Sequence, residues 1–184
     1  IYMKIAYATS NTSVMAALVT DSSNGNSRLF RSTTSGASWT EPAGPGNIAY
    51  FNSYYLSYTG ALWIDPVNPV RMAVCEGWCA ATADITAPTP VWKGLYSGWV
   101  DFHSIVAHPG YNGTSNKTVF FTDDGGVYKV SDIDLLDTFG AFTRLEQGLT
   151  PTELYSVSAN NANVPIFGAQ DVAPRVHRSR QWQF

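Results

Sequence analysis

Asp101-Phe-His-Ser-Ile-Val-Ala-His-Pro109, followed by Val119-Phe-Phe-Thr-Asp-Asp-Gly-Gly-Val-Tyr-Lys-Val130, is the stretch that decides the fold. Its runs of Val, Ile, Phe and Tyr are broken by His-Pro and by Asp-Asp-Gly-Gly. They read as strand, turn, strand, Gly-Gly turn, strand. A shorter copy of the opening stands upstream as Ala61-Leu-Trp-Ile-Asp-Pro-Val-Asn-Pro69. A looser copy stands downstream as Glu153-Leu-Tyr-Ser-Val-Ser-Ala-Asn-Asn161. The turns that end these copies fall at Asp65, His108 and Asn160, spaced by 43 and 52 residues.

Blades of a β-propeller, each a four-stranded antiparallel sheet, recur at roughly 40 to 50 residues. The expected fold is therefore all-β, with about four blade-like units spanning residues 3–40, 60–93, 101–146 and 153–184 as one propeller segment. Composition agrees: 14% of residues are aromatic and 14% charged, against a usual charged fraction of about 25%. That balance suits strands. The net charge of −3 provides no basic footprint for nucleic acid. No apolar run reaches the roughly 18 residues of a membrane helix. Ile1-Tyr-Met-Lys-Ile5 lacks a long apolar signal core and a polar leader, so the chain is expected to begin inside a fold. The last residues, Gln181-Trp-Gln-Phe184, do not read as a closing strand, so the segment is expected to belong to a larger propeller.

The two cysteines lie in Cys75-Glu-Gly-Trp-Cys79. Their spacing allows a disulfide-closed loop between strands; two buried thiols are the alternative. Zinc would need two further ligands, which do not follow, so no metal and no cofactor is expected. The sequons Asn11-Thr-Ser, Asn112-Gly-Thr and Asn116-Lys-Thr mark surface loops. With the cysteines, they point to an extracellular or secreted protein.

Ser32-Thr-Thr-Ser-Gly-Ala-Ser-Trp39 resembles the Asp-box, Ser-x-Asp-x-Gly-x-Thr-Trp, a hairpin between the third and fourth strands of propeller blades. Gly36 supplies a turn position of positive φ, and Ser32 and Ser38 can bond turn amides. Trp39 is expected to plug the seam between sheets. Thr34 stands where the motif has Asp. The resemblance extends to Asp101-Phe-His…Asp124-Gly-Gly-Val-Tyr128 and to Ile166-Phe-Gly-Ala-Gln-Asp171, where Val172-Ala173 replaces the motif's Asn-Gly. It is to the Asp-box (BNR-repeat) propellers, a class that includes sialidases, two-propeller xyloglucanases and sortilin-type receptors. The resemblance implies a fold and leaves the activity open.

Asp101 and His103, two apart on an expected strand, would share a face and could form an acid/base pair at the propeller axis. Alternatively, His103 is tied to a neighbouring blade, with Asp101 fixing its tautomer. Asp171 at a strand end is a third catalytic candidate, or an Asx turn. Asp123 and Asp124 read as turn residues, Glu76 as solvated or capping, and Asp132 and Asp134 as a solvated turn lacking calcium-loop spacing. The arginine triad of sialidases has no match: Arg28, Arg31, Arg71 and Arg144 lie on separate strands without the family's Phe/Tyr-Arg-Ile-Pro context. Tyr54, Tyr55, Tyr58, Tyr96 and Trp99 form aromatic clusters suited to stacking on sugars or filling partner grooves, or to packing between blades. The preferred reading is a secreted binding or scaffolding module for carbohydrate or protein, completed by the rest of a propeller from the same or another chain. The alternative is a glycoside hydrolase with paired carboxylates.

Overall fold

Short β-rich runs separated by Gly, Pro, Asn and Asp turns fold here into antiparallel sheets. The computed structural model describes residues 2–21, 26–42, 56, 58–95, 100–135, 141–145, 147, 154–159, 165–169, 175–178 and 181–183. It has two units, Ile1–Glu146 and Gln147–Phe184.

Three sheets make up the first unit. The first contains β1 (Tyr2–Ala8), β2 (Asn11–Asp21) and β3 (Asn26–Ser32) in that order. The second contains β4 (Ala61–Ile64), β5 (Met72–Cys75), β6 (Cys79–Thr82) and β7 (Trp92–Leu95) in that order. The third contains β8 (Ser104–Ala107), β9 (Val119–Asp123), β10 (Gly126–Val130) and β11 (Phe142–Arg144) as sequential neighbours. A 3-10 turn, Ile133–Leu135, follows β10. In the second unit, β12 (Leu154–Ala159), β13 (Pro165–Ala169), β14 (Arg175–Arg178) and β15 (Gln181–Gln183) form one antiparallel sheet in that order. The tail that did not read as a closing strand thus pairs, with His177 opposite Trp182. The described residues include no α-helix.

Packing follows the period-2 alternation of each strand. One face of the first sheet buries Ala8, Val14, Ala16, Leu18 and Leu29 against Ile64, Met72, Val74 and Ala80 of the second. The second sheet's other face sets Ala61, Trp63, Ala73, Cys75, Cys79 and Ala81 against Phe102, Val119, Phe121, Tyr128 and Val130. All four residues of β5 are fully buried. Phe121 lies edge-to-face on Phe102 with centroids 6.2 Å apart, and 5.7 Å from Phe142. Gly60 ties the sheets together, its amide donating to the Phe102 carbonyl at 2.7 Å. Its φ of 114° strains any L side chain, and a Cβ there would also push the Leu56 methyl aside.

The Ser32–Trp39 turn is a closed hydrogen-bond set. The buried Ser32 hydroxyl accepts from the amides of Thr34 at 3.1 Å and Gly36 at 3.0 Å. Thr34 Oγ1 accepts from the Ser38 amide at 2.9 Å and bonds Ser38 Oγ at 2.9 Å. Ser35 and Gly36 both take positive φ, 53° and 85°. Thr40 then bridges back to Arg31. Trp39 does not plug a seam. Its indole N–H donates to the Gly36 carbonyl at 3.0 Å, and the side chain lies over its own turn, 38% exposed. The hydrogen bond to the turn wins over insertion between sheets.

Two substitutions separate these environments. Phe121→Ala is expected to cost about 3–5 kcal/mol, the loss for a buried large aromatic. Trp39→Ala should cost only about 1–2 kcal/mol, for one hydrogen bond and half-exposed packing. Urea denaturation of both variants checks the order; equal losses would contradict it.

Candidate functional site

The hairpin ends of the second and third sheets converge on one group of polar residues. Cys75 and Cys79 face each other in register at the end of the β5–β6 hairpin and are joined by a disulfide. The turn they close holds Glu76, whose amide donates to the Trp78 carbonyl at 2.8 Å. The segment before β8 docks on that turn: the Asp101 amide donates to Gly77 at 3.1 Å and the Phe102 amide to Glu76 at 2.9 Å. His103 then joins the third sheet, donating its amide to Thr122 at 2.9 Å. The β9–β10 turn completes the group with Asp123 and Asp124.

Asp101 and His103 do not lie on a strand, because β8 begins at Ser104. Asp101 has φ 64°, a left-handed conformation uncommon outside glycine, where its amide docks on the disulfide loop. This turn breaks the two-residue alternation that would have put both side chains on one face. The carboxylate on the imidazole is that of Asp124, with His103 Nε2 and Asp124 Oδ1 2.6 Å apart across the β8–β9 ends. Tyr58 meets the same imidazole edge-to-face at 5.4 Å and is 54% exposed. Asp123 is buried and fixes the hairpin, accepting from the Gly125 amide at 2.8 Å. Glu76, expected to be solvated or capping, is fully buried within the turn. Asp171, Tyr54, Tyr55, Tyr96 and Trp99 lie outside the described residues.

At the opposite strand ends the structure places a network that sequence reading missed. Asp65 is fully buried. Its Oδ1 accepts from the amides of Val67 at 2.8 Å and Asn68 at 2.9 Å. Its Oδ2 accepts from the Tyr111 hydroxyl at 2.5 Å and Arg71 Nη1 at 3.1 Å. Arg71 also reaches Asp134 at 3.1 Å, and Lys117 holds Asp132 at 3.1 Å and Asp134 at 2.7 Å. Asp132 and Asp134 are therefore ion-paired, not a solvated turn. The bond from Tyr111 to Asp65 spans 46 residues and joins two sheets. Only a polar Asp closing an apolar strand, with Arg on the return strand, hinted at it.

The charges follow from these contacts. Burial pushes the Tyr111 hydroxyl up, and its bond to Asp65 adds to that. Burial opposes the Arg71 cation, but Tyr111, Asp134 and Asp65 outweigh it and raise the group overall. Burial would raise Asp132 too, yet the Asp134 amide and Lys117 hold it below its ordinary value. Glu41 is lowered by the hydrogen bond from Arg28, and Asp84 by those from Thr86.

No protein-family model and no curated protein matches the chain. Among solved structures it is similar to the GH74 enzyme of Niastella koreensis, with a TM-score of 0.61 and 16% identity over 94% of this chain. The chain spans 27% of that enzyme's length. The structure of YCF48 bound to a D1 peptide is also similar, with a TM-score of 0.45 and 7% identity, covering 100% of this chain and 57% of that one. The likeness to the GH74 enzyme shows the class: a β-propeller-like all-β fold of antiparallel three- and four-stranded sheets.

Two outcomes test the charges. Arg71→Met leaves the buried Asp65 without its cation and should destabilise by about 3–5 kcal/mol in chemical denaturation; a loss below about 1 kcal/mol would contradict the network. For acid, the lowered carboxyls of Asp132, Glu41 and Asp84 contribute stability present above their unfolded values. That stability is lost as pH falls through the lowered ones. Thermal midpoints should thus hold from pH 7 to about pH 4 and then fall.

Proposed function

We propose that the chain is a secreted β-propeller module of the Asp-box kind, made of four blades, that binds or scaffolds a carbohydrate or protein ligand. The observation that carries the binding reading is the hairpin end where half-exposed Tyr58 stands against the His103–Asp124 pair. An exposed ring beside hydrogen-bonding groups suits stacking on a sugar or an apolar side chain. Tyr54, Tyr55, Tyr96 and Trp99 are proposed to extend that aromatic surface. The Ser32–Trp39 turn supports the Asp-box reading, since Ser32 and Thr34 together gather three turn amides. The disulfide supports secretion. Met3, Ile5 and Tyr7, all more than half exposed on one face of β1, support cover by another sheet of the propeller, from the same or another chain.

Hydrolysis of glycosides is the second reading, favoured by the gathering of Glu76, Asp101, Asp123 and Asp124 at this one end, with Asp171 as the further candidate. Against it, Glu76 and Asp123 are buried and Asp124 is bonded to the imidazole.

Calorimetry against soluble β-glucans and sialylated oligosaccharides tests both readings. Binding without release of sugar, weakened about tenfold by Tyr58→Ala, is the expected result. Sugar release abolished by Asp101→Asn or His103→Ala would replace the binding reading with the hydrolase.

A further inference from the structure

The three sequons of the chain all fall at the strand ends that carry the Asp65 network, and the structure tells them apart. Asn11 opens β2 after the Thr9-Ser10 turn, which packs on the Asp65 turn. The Ser10 amide donates to the Pro66 carbonyl at 3.0 Å, and the Thr9 hydroxyl to the same oxygen at 3.2 Å. Asn112 and Asn116 lie in the loop between β8 and β9, where Gly113 stands against Val67 of that same turn. An N-linked glycan is bulky and hydrophilic, so a folded chain accommodates it only where the Asn Nδ2 opens on solvent.

Asn11 and Asn112 meet that condition. Both are exposed. Asn11 Oδ1 accepts from the Ser13 amide at 3.1 Å, and no described residue bonds its Nδ2. Asn112 Oδ1 gathers the Thr114 amide at 3.0 Å, the Thr114 hydroxyl at 3.1 Å and the Asn116 amide at 2.9 Å. Its Nδ2 carries two hydrogens. One goes to Ser115 Oγ at 2.8 Å. A glycosylated amide keeps one hydrogen, so that bond survives modification.

Asn116 does not meet it. The side chain is half-buried, with Nδ2 3.2 Å from His108 Nδ1 and 3.4 Å from where a Cβ on Gly110 would stand. Its Oδ1 accepts from the Thr118 amide at 3.1 Å, and the buried Thr118 hydroxyl donates to the Ser131 carbonyl at 3.3 Å. A sugar on this nitrogen would have to push aside the imidazole and the Gly110 backbone.

We propose that Asn11 and Asn112 carry N-linked glycans and that Asn116 does not. The two acceptors flank the Asp65 turn from the first and third sheets, so the glycans cover that end of the unit. The end holding Tyr58 and His103 has no sequon and stays bare. This inference rests on the secreted reading above, because the donor, an oligosaccharide on a polyprenyl diphosphate, is met during export. A bond forms between Asn Nδ2 and C1 of the sugar, and the C1–O bond to the diphosphate breaks. The polyprenyl diphosphate leaves, and the Nδ2 proton passes to solvent.

The test is site mapping on the full chain recovered from its source culture, with cells and medium kept apart. Enzymatic removal of N-glycans in heavy-oxygen water converts each occupied Asn to labelled Asp. A thiol reagent reads Cys75 and Cys79 in the same samples. The expected result is an oxidised chain in the medium, labelled at Asn11 and Asn112 and unlabelled at Asn116. Thr114→Ala removes the Asn112 sequon and keeps the amide bonds to Asn112 Oδ1. It should lose one glycan and still leave Asn116 bare. An oxidised chain in the medium with Asn11 or Asn112 unlabelled would overturn this proposal alone, as would label at Asn116 in either form. A chain confined to the cells with both thiols free would overturn the secreted reading, and this proposal with it.

Discussion

Met72-Ala-Val-Cys75 has no polar side, and the structure depends on that. A strand whose every side chain is apolar cannot rest one face on water, so the sheet it centres must be covered twice. The first sheet supplies one cover with Ala8, Ala16 and Leu18, and the third, together with Phe102 just before it, supplies the other with Phe121 and Tyr128. Burying each large apolar side chain contributes about 1.5–3 kcal/mol. These two clusters therefore hold the first unit together, while the hydrogen-bonded ladders fix its register.

The stacking also separates the polar chemistry. The side chains that fill the two clusters are apolar, and the buried carboxylates Asp65, Glu76 and Asp123 sit where strands end or turn. At one end, Asp101 takes a left-handed backbone where it docks on the disulfide loop, and His103 meets Asp124. At the other, Asp65, Arg71 and Tyr111 lock two sheets through a buried charge whose oxygens are all engaged. The first end offers an exposed ring and an imidazole–carboxylate pair. The second offers a set of ion pairs, Arg71 with Asp65 and Asp134 and Lys117 with Asp132 and Asp134.

The strands and hairpins were legible because they obey local rules. The Gly125-Gly126 turn, the Asp65-Pro66 turn and the alternation of Val119–Asp123 each depend on neighbours in sequence. The site residues were legible as types but not as partners. Asp101 was paired with His103 on the assumption of an unbroken strand, which a positive φ at Asp101 defeats. Asp124 lies 21 residues from His103, and Tyr111 lies 46 from Asp65. No periodicity reports such distances. Trp39 was misplaced because its size suggested burial, whereas its indole N–H finds a nearer acceptor in Gly36.

Native-state hydrogen exchange tests the doubly covered middle sheet most directly. The account predicts that amides of β5 and β6 exchange slowest in the chain, and only through global unfolding. Substantially faster exchange at β5 than at β2 or β9, through a local opening, would contradict the claim that this sheet holds the unit together.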